Sequence, residues 1–153
     1  GRRVAEIARA FGAKVIYYSA SGAPAQEGYE QVGFDTLLAQ SDIISVHAPL
    51  NGHTEGLIDS SAFGKMKSSC IFLNLGRGPI VDEKALYDAL VGNQIAAAGL
   101  DVLCEEPMSA DNPLLQIKDS KRLLITPHIA WASVEARTHL MEIIHGQVKD
   151  FFA

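Results

Sequence analysis

Apolar residues recur at helical spacing near both ends of the chain. In the first turns they lie three or four residues apart, on one face of a helix that Gly12 would end; they are Val4, Ile7, Ala8 and Phe11. A longer helix is predicted over 133–153, with apolar positions at Val134, Leu140, Met141, Ile144, Val148 and Phe151. Because neither end of the chain carries a complete helix start or stop signal, we expect the chain to be a piece of a longer one.

Between these two helices, short runs rich in β-branched residues alternate with helical runs. Strands are predicted at residues 14–18, 42–46, 70–75, 95–102 and 123–126, with loops at 19–33 and 105–121. Helices are predicted at 35–40 with Asp35 as N-cap, at 60–66, and at 82–91 between the N-cap Asp82 and Gly92. Several strand runs are apolar on both faces, which is typical of parallel strands covered by helices. The alternation therefore predicts an α/β fold with a doubly wound parallel sheet.

Composition narrows the classes of partner. Of the 153 residues, 48% are hydrophobic and 20% are charged, which is ordinary for one compact domain. The formal net charge is −5 and no cluster of Lys and Arg occurs, so we expect no nucleic-acid or membrane partner. No apolar run reaches the ~18 residues of a membrane span. Cys70 and Cys104 lack metal-ligand spacing, so we expect no metal site, no disulfide framework and a cytoplasmic location.

Four polar residues lie at or just beyond the ends of predicted strands. Arg77 lies between two glycines after the third strand. Asp101 ends the fourth strand, with Glu106 shortly beyond it, and His128 follows the fifth. The ligand crevice of an open parallel sheet lies at this edge, where an Arg fork suits a carboxylate and a His beside an acid suits reversible proton transfer. Taken alone, each also fits a structural role: a surface arginine, a turn-capping aspartate, a solvated acid or a structural histidine.

The signal for a dinucleotide site is weaker. In the GxGxxG fingerprint, Gly1 could correspond only to the last glycine. The acid that binds the adenosine ribose is expected near residue 19, where this chain has Ser19 followed by Ala20 and Ser21. The residues alone therefore predict an α/β domain with an Arg, Glu and His set lining a crevice, and they leave nucleotide binding open.

Five stretches of the chain resemble, in order and at the same spacing, one known family. They are GRRVAEIARAFGAKVIYY, SDIISVHAPL followed by Thr54, NLGRGPIVDEKAL, AAAGLDV followed by EEP, and TPHIAW. Through them the chain resembles the D-isomer-specific 2-hydroxyacid dehydrogenases nearly end to end. The resemblance implies that residues 1–153 form a single Rossmann-like dinucleotide-binding domain, lacking its first strand, two fingerprint glycines and the substrate domain. Because that strand would be central, we expect residues 1–153 not to fold stably alone.

The resemblance also implies roles for particular residues. Arg77 would hold the carboxylate and carbonyl of a 2-oxo acid while the nicotinamide delivers a hydride to the carbonyl carbon. His128 would protonate the oxygen, and Glu106 would stabilise the imidazolium. The implied cofactor contacts are Gly1, Ser19, Ala48, Thr54, Leu75, Gly76, Arg77, Asp101 and His128.

The same resemblance implies the partners. NAD(H) is favoured because no cation beside Ser19 would bind a 2′-phosphate, and NADP(H) stays open. We expect a small 2-oxo or 2-hydroxy acid as substrate and a second copy of the chain in a homodimer.

Two features favour one branch of the family. Glu106 argues against the formate dehydrogenase branch, where a glutamine is typical, and the run PHIAWAS resembles the glycerate dehydrogenase (hydroxypyruvate reductase) branch. The expected reaction is reduction of hydroxypyruvate or glyoxylate to D-glycerate or glycolate. The alternative is an NAD-sensing regulatory module, as in the family's corepressor branch, which keeps the same Arg, Glu and His without turnover. A Rossmann domain of an unrelated enzyme is disfavoured by the five ordered matches.

Overall fold

A computed structural model describes residues 1–24 and 26–152 and gives an α/β architecture. The helices within these residues are α1 (Arg2–Ala10), α2 (Phe34–Gln40), α3 (Ser60–Lys65), α4 (Glu83–Val91) and α5 (Val134–Phe151). The strands are β1 (Ile16–Tyr17), β2 (Glu30–Gln31), β3 (Ile43–Val46), β4 (Ile71–Asn74), β5 (Ala97–Leu100) and β6 (Leu123–Ile125). Short 3₁₀ turns follow at Gly78–Ile80 and Pro113–Gln116.

All strand pairs described in the structure are parallel. Strands β3, β4, β5 and β6 form one sheet in that order, and β1 pairs with β2 in a second, two-stranded sheet. The predicted α/β class with a parallel sheet is confirmed. Across residues 1–24 and 26–152 the two sheets share no ladder of hydrogen bonds. The absent central strand predicted from the sequence stays a prediction.

The core lies on one face of the four-stranded sheet. Side chains alternate along each strand, so Ile44 and Phe72 point to the same face and are almost completely buried. Helices α2, α3 and α4 cover this face with fully buried residues that include Phe63 and Leu86. The rings of Phe63 and Phe72 meet edge to face, with centroids 5.5 Å apart. This packing fixes the strand ends that carry the polar residues.

The opposite face of the sheet is exposed in the described part of the chain. Ile43 is 61% exposed and Leu124 is 60% exposed, on β3 and β6 respectively. Helices α1 and α5 bury none of their residues, and α5 presents a series of exposed apolar side chains. No helix within residues 1–24 and 26–152 is both long and apolar enough to cross a membrane.

Of the two predicted N-caps, Asp82 is confirmed and Asp35 is wrong. The Asp82 carboxylate accepts a hydrogen bond from the Ala85 N–H at the start of α4, and Ser133 caps α5 in the same way. Asp35 is not an N-cap, because α2 begins one residue earlier with Gly33 in the cap position. Asp35 instead lies in the first turn and pairs with Lys65.

The predicted loop at 19–33 is wrong in part, since it contains β2. This strand is only two residues long and both are polar, Glu30 and Gln31, so no apolar alternation marks it. Ala25 of that loop and Ala153 of the predicted last helix lie outside the described residues.

Candidate active site

The predicted polar residues follow β4, β5 and β6 at one edge of the sheet. Arg77 lies three residues beyond β4, Asp101 directly follows β5, and His128 lies three residues beyond β6. Because parallel strands end at the same edge, their order along the chain brings these segments together. The segments that carry Arg77, Asp101 and His128 therefore lie at the edge of the sheet where β4, β5 and β6 end.

Glu106 and His128 form a direct pair. Glu106 Oε2 lies 2.8 Å from His128 Nδ1, and both side chains are just over one-third exposed. The other oxygen, Oε1, accepts a hydrogen bond from the Leu103 N–H at 2.9 Å. That backbone hydrogen bond, and then the one from His128, hold the pKa of Glu106 below its ordinary value. The carboxylate is therefore ionised at neutral pH and engages Nδ1, which leaves Nε2 of the ring available for a ligand.

Asp101 holds the segment that carries His128. Its buried carboxylate accepts hydrogen bonds from the Thr126 hydroxyl at 2.6 Å and from the N–H groups of Ile129 and Ala130, each at 2.9 Å. Burial alone would raise the pKa of Asp101, but these three hydrogen bonds outweigh burial and leave it lowered. Asp101 thus fixes the loop on both sides of His128, and its predicted contact with the cofactor stays a prediction.

Asn74 shapes the turn that presents Arg77. Its fully buried amide accepts a hydrogen bond from the Gly76 N–H at 3.1 Å and donates one to the Arg77 carbonyl at 3.0 Å. The Arg77 guanidinium is exposed and donates to the neighbouring Gly76 carbonyl at 2.8 Å. Sequence reasoning missed Asn74, although a lone polar residue at an inward position of the apolar run 70–75 was a usable signal.

Gly78 brings the Arg77 turn against the segment that carries Glu106. A Cβ at this position would overlap the Leu103 carbonyl and press on the Cys104 nitrogen, both of them backbone. Leu103 is the residue whose N–H binds Glu106. The two loops are therefore packed backbone to backbone, and the position demands glycine for space.

A cleft of about 560 Å³ opens beside the ends of β3 and β4. Its lining contains five of the predicted cofactor residues, together with three that were not predicted: Gly1, Ala48, Leu75, Gly76 and Arg77, with His47, Pro49 and Leu50. His47 Nε2 lies 2.9 Å from the Ser45 hydroxyl, and burial lowers the pKa of His47. Position alone, directly after a strand end, could have identified it.

Four predicted cofactor residues do not line this cleft: Asp101 and His128, described above, and Thr54 and Ser19. Thr54 is buried, and its hydroxyl donates to the Pro49 carbonyl at 2.6 Å while accepting from the Asn51 N–H at 2.9 Å. It therefore shapes the loop that forms one wall. Ser19 lies beyond β1 with its hydroxyl 3.1 Å from that of Ser21. Their cofactor contacts stay predictions, and within residues 1–24 and 26–152 no cluster of His, Cys, Asp and Glu could hold a metal ion.

Comparison with known proteins identifies the class. The family model described as "D-isomer specific 2-hydroxyacid dehydrogenase, NAD binding domain" matches residues 1–130. The chain belongs to this family, which confirms the resemblance, and it is an NAD-binding domain.

Individual relatives carry several different enzyme names. A hydroxypyruvate reductase of Blautia hydrogenotrophica is 44% identical over 153 residues, which cover 99% of this chain and 47% of the relative. A D-3-phosphoglycerate dehydrogenase of Archaeoglobus fulgidus is 49% identical over 119 residues, covering 78% of this chain and 22% of the relative. An acyclic imino acid reductase solved with NADPH and D-Arg superimposes with a TM-score of 0.90 at 37% identity, covering 99% of this chain and 47% of that one. The chain thus spans about half the length of the hydroxypyruvate reductase it matches.

Proposed function

We propose that the protein containing this chain transfers a hydride between a nicotinamide cofactor and the carbonyl carbon of a small 2-oxo acid. The observation that carries the proposal is the 2.8 Å contact between Glu106 and His128, at the sheet edge where Arg77 follows β4. A carboxylate on Nδ1 fixes the tautomer and the orientation of the imidazole, which suits an acid that protonates a developing alkoxide.

The cleft beside β3 and β4 is the proposed binding site for the dinucleotide. At Gly76, an added Cβ would lie 3.2 Å from the Ala48 carbonyl, so the absence of a side chain lets the two loops that line the cleft approach closely. Gly1, Ala48 and Leu75 would contact the cofactor along the same wall. When bound, the nicotinamide supplies the hydride.

Side chains of this chain would bind the substrate and transfer the proton. The exposed Arg77 guanidinium would bind the substrate carboxylate as a two-pronged donor and orient the adjacent carbonyl. His128 would donate its Nε2 proton to the carbonyl oxygen as negative charge develops there. Glu106, already ionised, would stabilise the imidazolium before that transfer. In the reverse direction the same imidazole would accept the hydroxyl proton.

Hydroxypyruvate and glyoxylate are the proposed substrates. The name of the 44% identical relative, hydroxypyruvate reductase, supports this choice, and so does the PHIAWAS run. In the full-length protein, we expect kcat/KM for hydroxypyruvate to exceed that for pyruvate by about tenfold or more, because a site for the extra hydroxyl leaves polar groups unpaired with pyruvate. Following NADH oxidation with hydroxypyruvate, glyoxylate and pyruvate checks it, with D-3-phosphoglycerate oxidation as a fourth arm. Preference for pyruvate, or turnover of D-3-phosphoglycerate alone, would contradict the proposed substrate.

NADH is the proposed cofactor. Residues 19–24, which follow β1, include no Lys or Arg that could bind a 2′-phosphate. We expect kcat/KM to be higher with NADH than with NADPH by about tenfold, roughly the value of one missing charge-assisted hydrogen bond. Steady-state rates with both cofactors at one fixed 2-oxo acid concentration measure it, and higher efficiency with NADPH would overturn this preference.

A homodimer is also proposed. The exposed apolar side chains of α5, among them Leu140 and Met141, support a partner surface on this helix. A cytoplasmic location stays a prediction based on Cys70 and Cys104, which are both free thiols.

A further inference from the structure

The backbone of His128 lies in the left-handed region, with φ of 54°. Few residues other than glycine adopt this conformation, because Cβ then crowds the backbone. In this conformation the imidazole Nδ1 lies 2.8 Å from Glu106 Oε2, so the contacts that hold the backbone also position the ring. Such strain persists only where surrounding contacts enforce it.

Contacts on both sides of His128 enforce the conformation. On the N-terminal side, the His128 N–H donates to the Thr126 carbonyl at 3.0 Å. On the C-terminal side, Asp101 binds the two N–H groups that follow. The His128 carbonyl itself accepts a hydrogen bond from the Trp131 indole Nε1 at 2.8 Å. The indole therefore restrains the peptide group that joins His128 to Ile129.

The identity of residue 131 matters for this contact. An indole N–H can donate but not accept, and here its acceptor is the His128 carbonyl. Phenylalanine would keep an aromatic ring here without a donor. The Trp131 side chain is 54% exposed, so burial in the described part of the chain does not account for a large aromatic residue at this position.

We propose that Trp131 is a positioning residue for the acid–base pair, which acts by fixing the His128 carbonyl so that the imidazole stays aligned with Glu106. It touches neither substrate nor cofactor in this role. The inference rests on the proposed proton transfer by His128, and it adds to it a residue that the family motif does not assign to the chemistry.

The test compares Trp131→Phe with the wild type in the full-length protein. We expect kcat for hydroxypyruvate reduction to fall about threefold to tenfold, the range that loss of one neutral hydrogen bond spans, with KM for NADH unchanged within about twofold. The matched control is Tyr87→Phe, which also removes one aromatic donor, a hydroxyl that donates to Gln116 Oε1 at 2.9 Å and not to a residue of the site.

A spectroscopic arm reads the alignment without turnover. With ¹⁵N-labelled histidine, the Nδ1 resonance of His128 is assigned by its loss in His128→Ala. We expect Trp131→Phe to move this resonance toward its position in Glu106→Gln, where the carboxylate is removed, and Tyr87→Phe to leave it in place.

The outcomes separate this inference from the proposed function. A wild-type kcat and an unmoved Nδ1 resonance in Trp131→Phe would overturn the positioning role, and a lower melting temperature alone would assign Trp131 to packing. If the wild type reduces no 2-oxo acid, the proposed function fails, and the resonance still decides the positioning. If Trp131→Phe does not fold, the wild-type indole proton decides: we expect its exchange with solvent to be slower than that of a free indole, and free exchange would reject the inference.

Discussion

Replacing His128 by alanine in the full-length protein is expected to lower kcat for 2-oxo acid reduction by about 10²-fold or more, while NADH still binds. Without the imidazole, the alkoxide that develops on the carbonyl oxygen must take its proton from water. Glu106 cannot substitute, because the hydrogen bond from the Leu103 N–H, which the variant keeps, lowers its pKa and keeps it ionised. Steady-state NADH oxidation gives kcat, and NADH fluorescence titration measures binding separately.

His139→Ala is the matched control for this loss. His139 lies on α5 with its side chain 74% exposed, and its nearest acid, Glu142, is 3.7 Å away. We expect a wild-type rate from it. If His128→Ala retains more than about one-third of the rate, another group supplies the proton and the proposed role is wrong. A wild type that binds NADH but reduces no 2-oxo acid would instead favour the NAD-sensing module.

Gly78→Ala is expected to lower the free energy of unfolding by about 3 kcal/mol, near the upper end of the usual cost of overpacking. The added methyl group would meet the Leu103 carbonyl and the Cys104 nitrogen, which are backbone atoms and cannot rotate away. Relief requires the Arg77 turn to separate from the segment that binds Glu106. We therefore expect kcat to fall together with stability. Urea unfolding measures the first effect, and hydroxypyruvate reduction the second.

Gly64→Ala provides the comparison for this substitution. Gly64 lies within α3, and a Cβ there would meet no atom within 4 Å. Alanine should stabilise the helix by up to about 1 kcal/mol because it lowers the entropy of the unfolded chain. An unfolding free energy for Gly78→Ala equal to that of the wild type would show that the two loops can separate without cost, contrary to the packing described above.

The convergence of the site residues at one edge of the sheet was predictable from the sequence. Parallel strands end at one edge, so residues beyond β4, β5 and β6 had to converge once the strands were recognised. The N-cap at Asp82 was predictable for a similar reason, since capping is local and its partner, Ala85, lies three residues away.

Contacts that depend on tertiary packing were not predictable in the same way. The hydrogen bonds from the Ile129 and Ala130 N–H groups to the Asp101 carboxylate were not anticipated, because these partners lie 28 and 29 residues away along the chain. Asn74 was overlooked because its amide serves the backbone of a turn rather than a ligand. Strand β2 was missed because two polar residues carry no periodic pattern. In each case, the structure depends on hydrogen-bond partners or strand pairing that the local sequence pattern does not reveal.

Hydrogen bonds made by Asn74, Asp101 and Glu106 to the chain's own backbone hold the segments around the acid–base pair. Few backbone torsions near the acid–base pair remain to be frozen when substrate arrives, so little conformational entropy is lost on the way to the transition state. The barrier for the chemical step would then be chiefly enthalpic. An Eyring analysis of that step should accordingly give an activation entropy near zero.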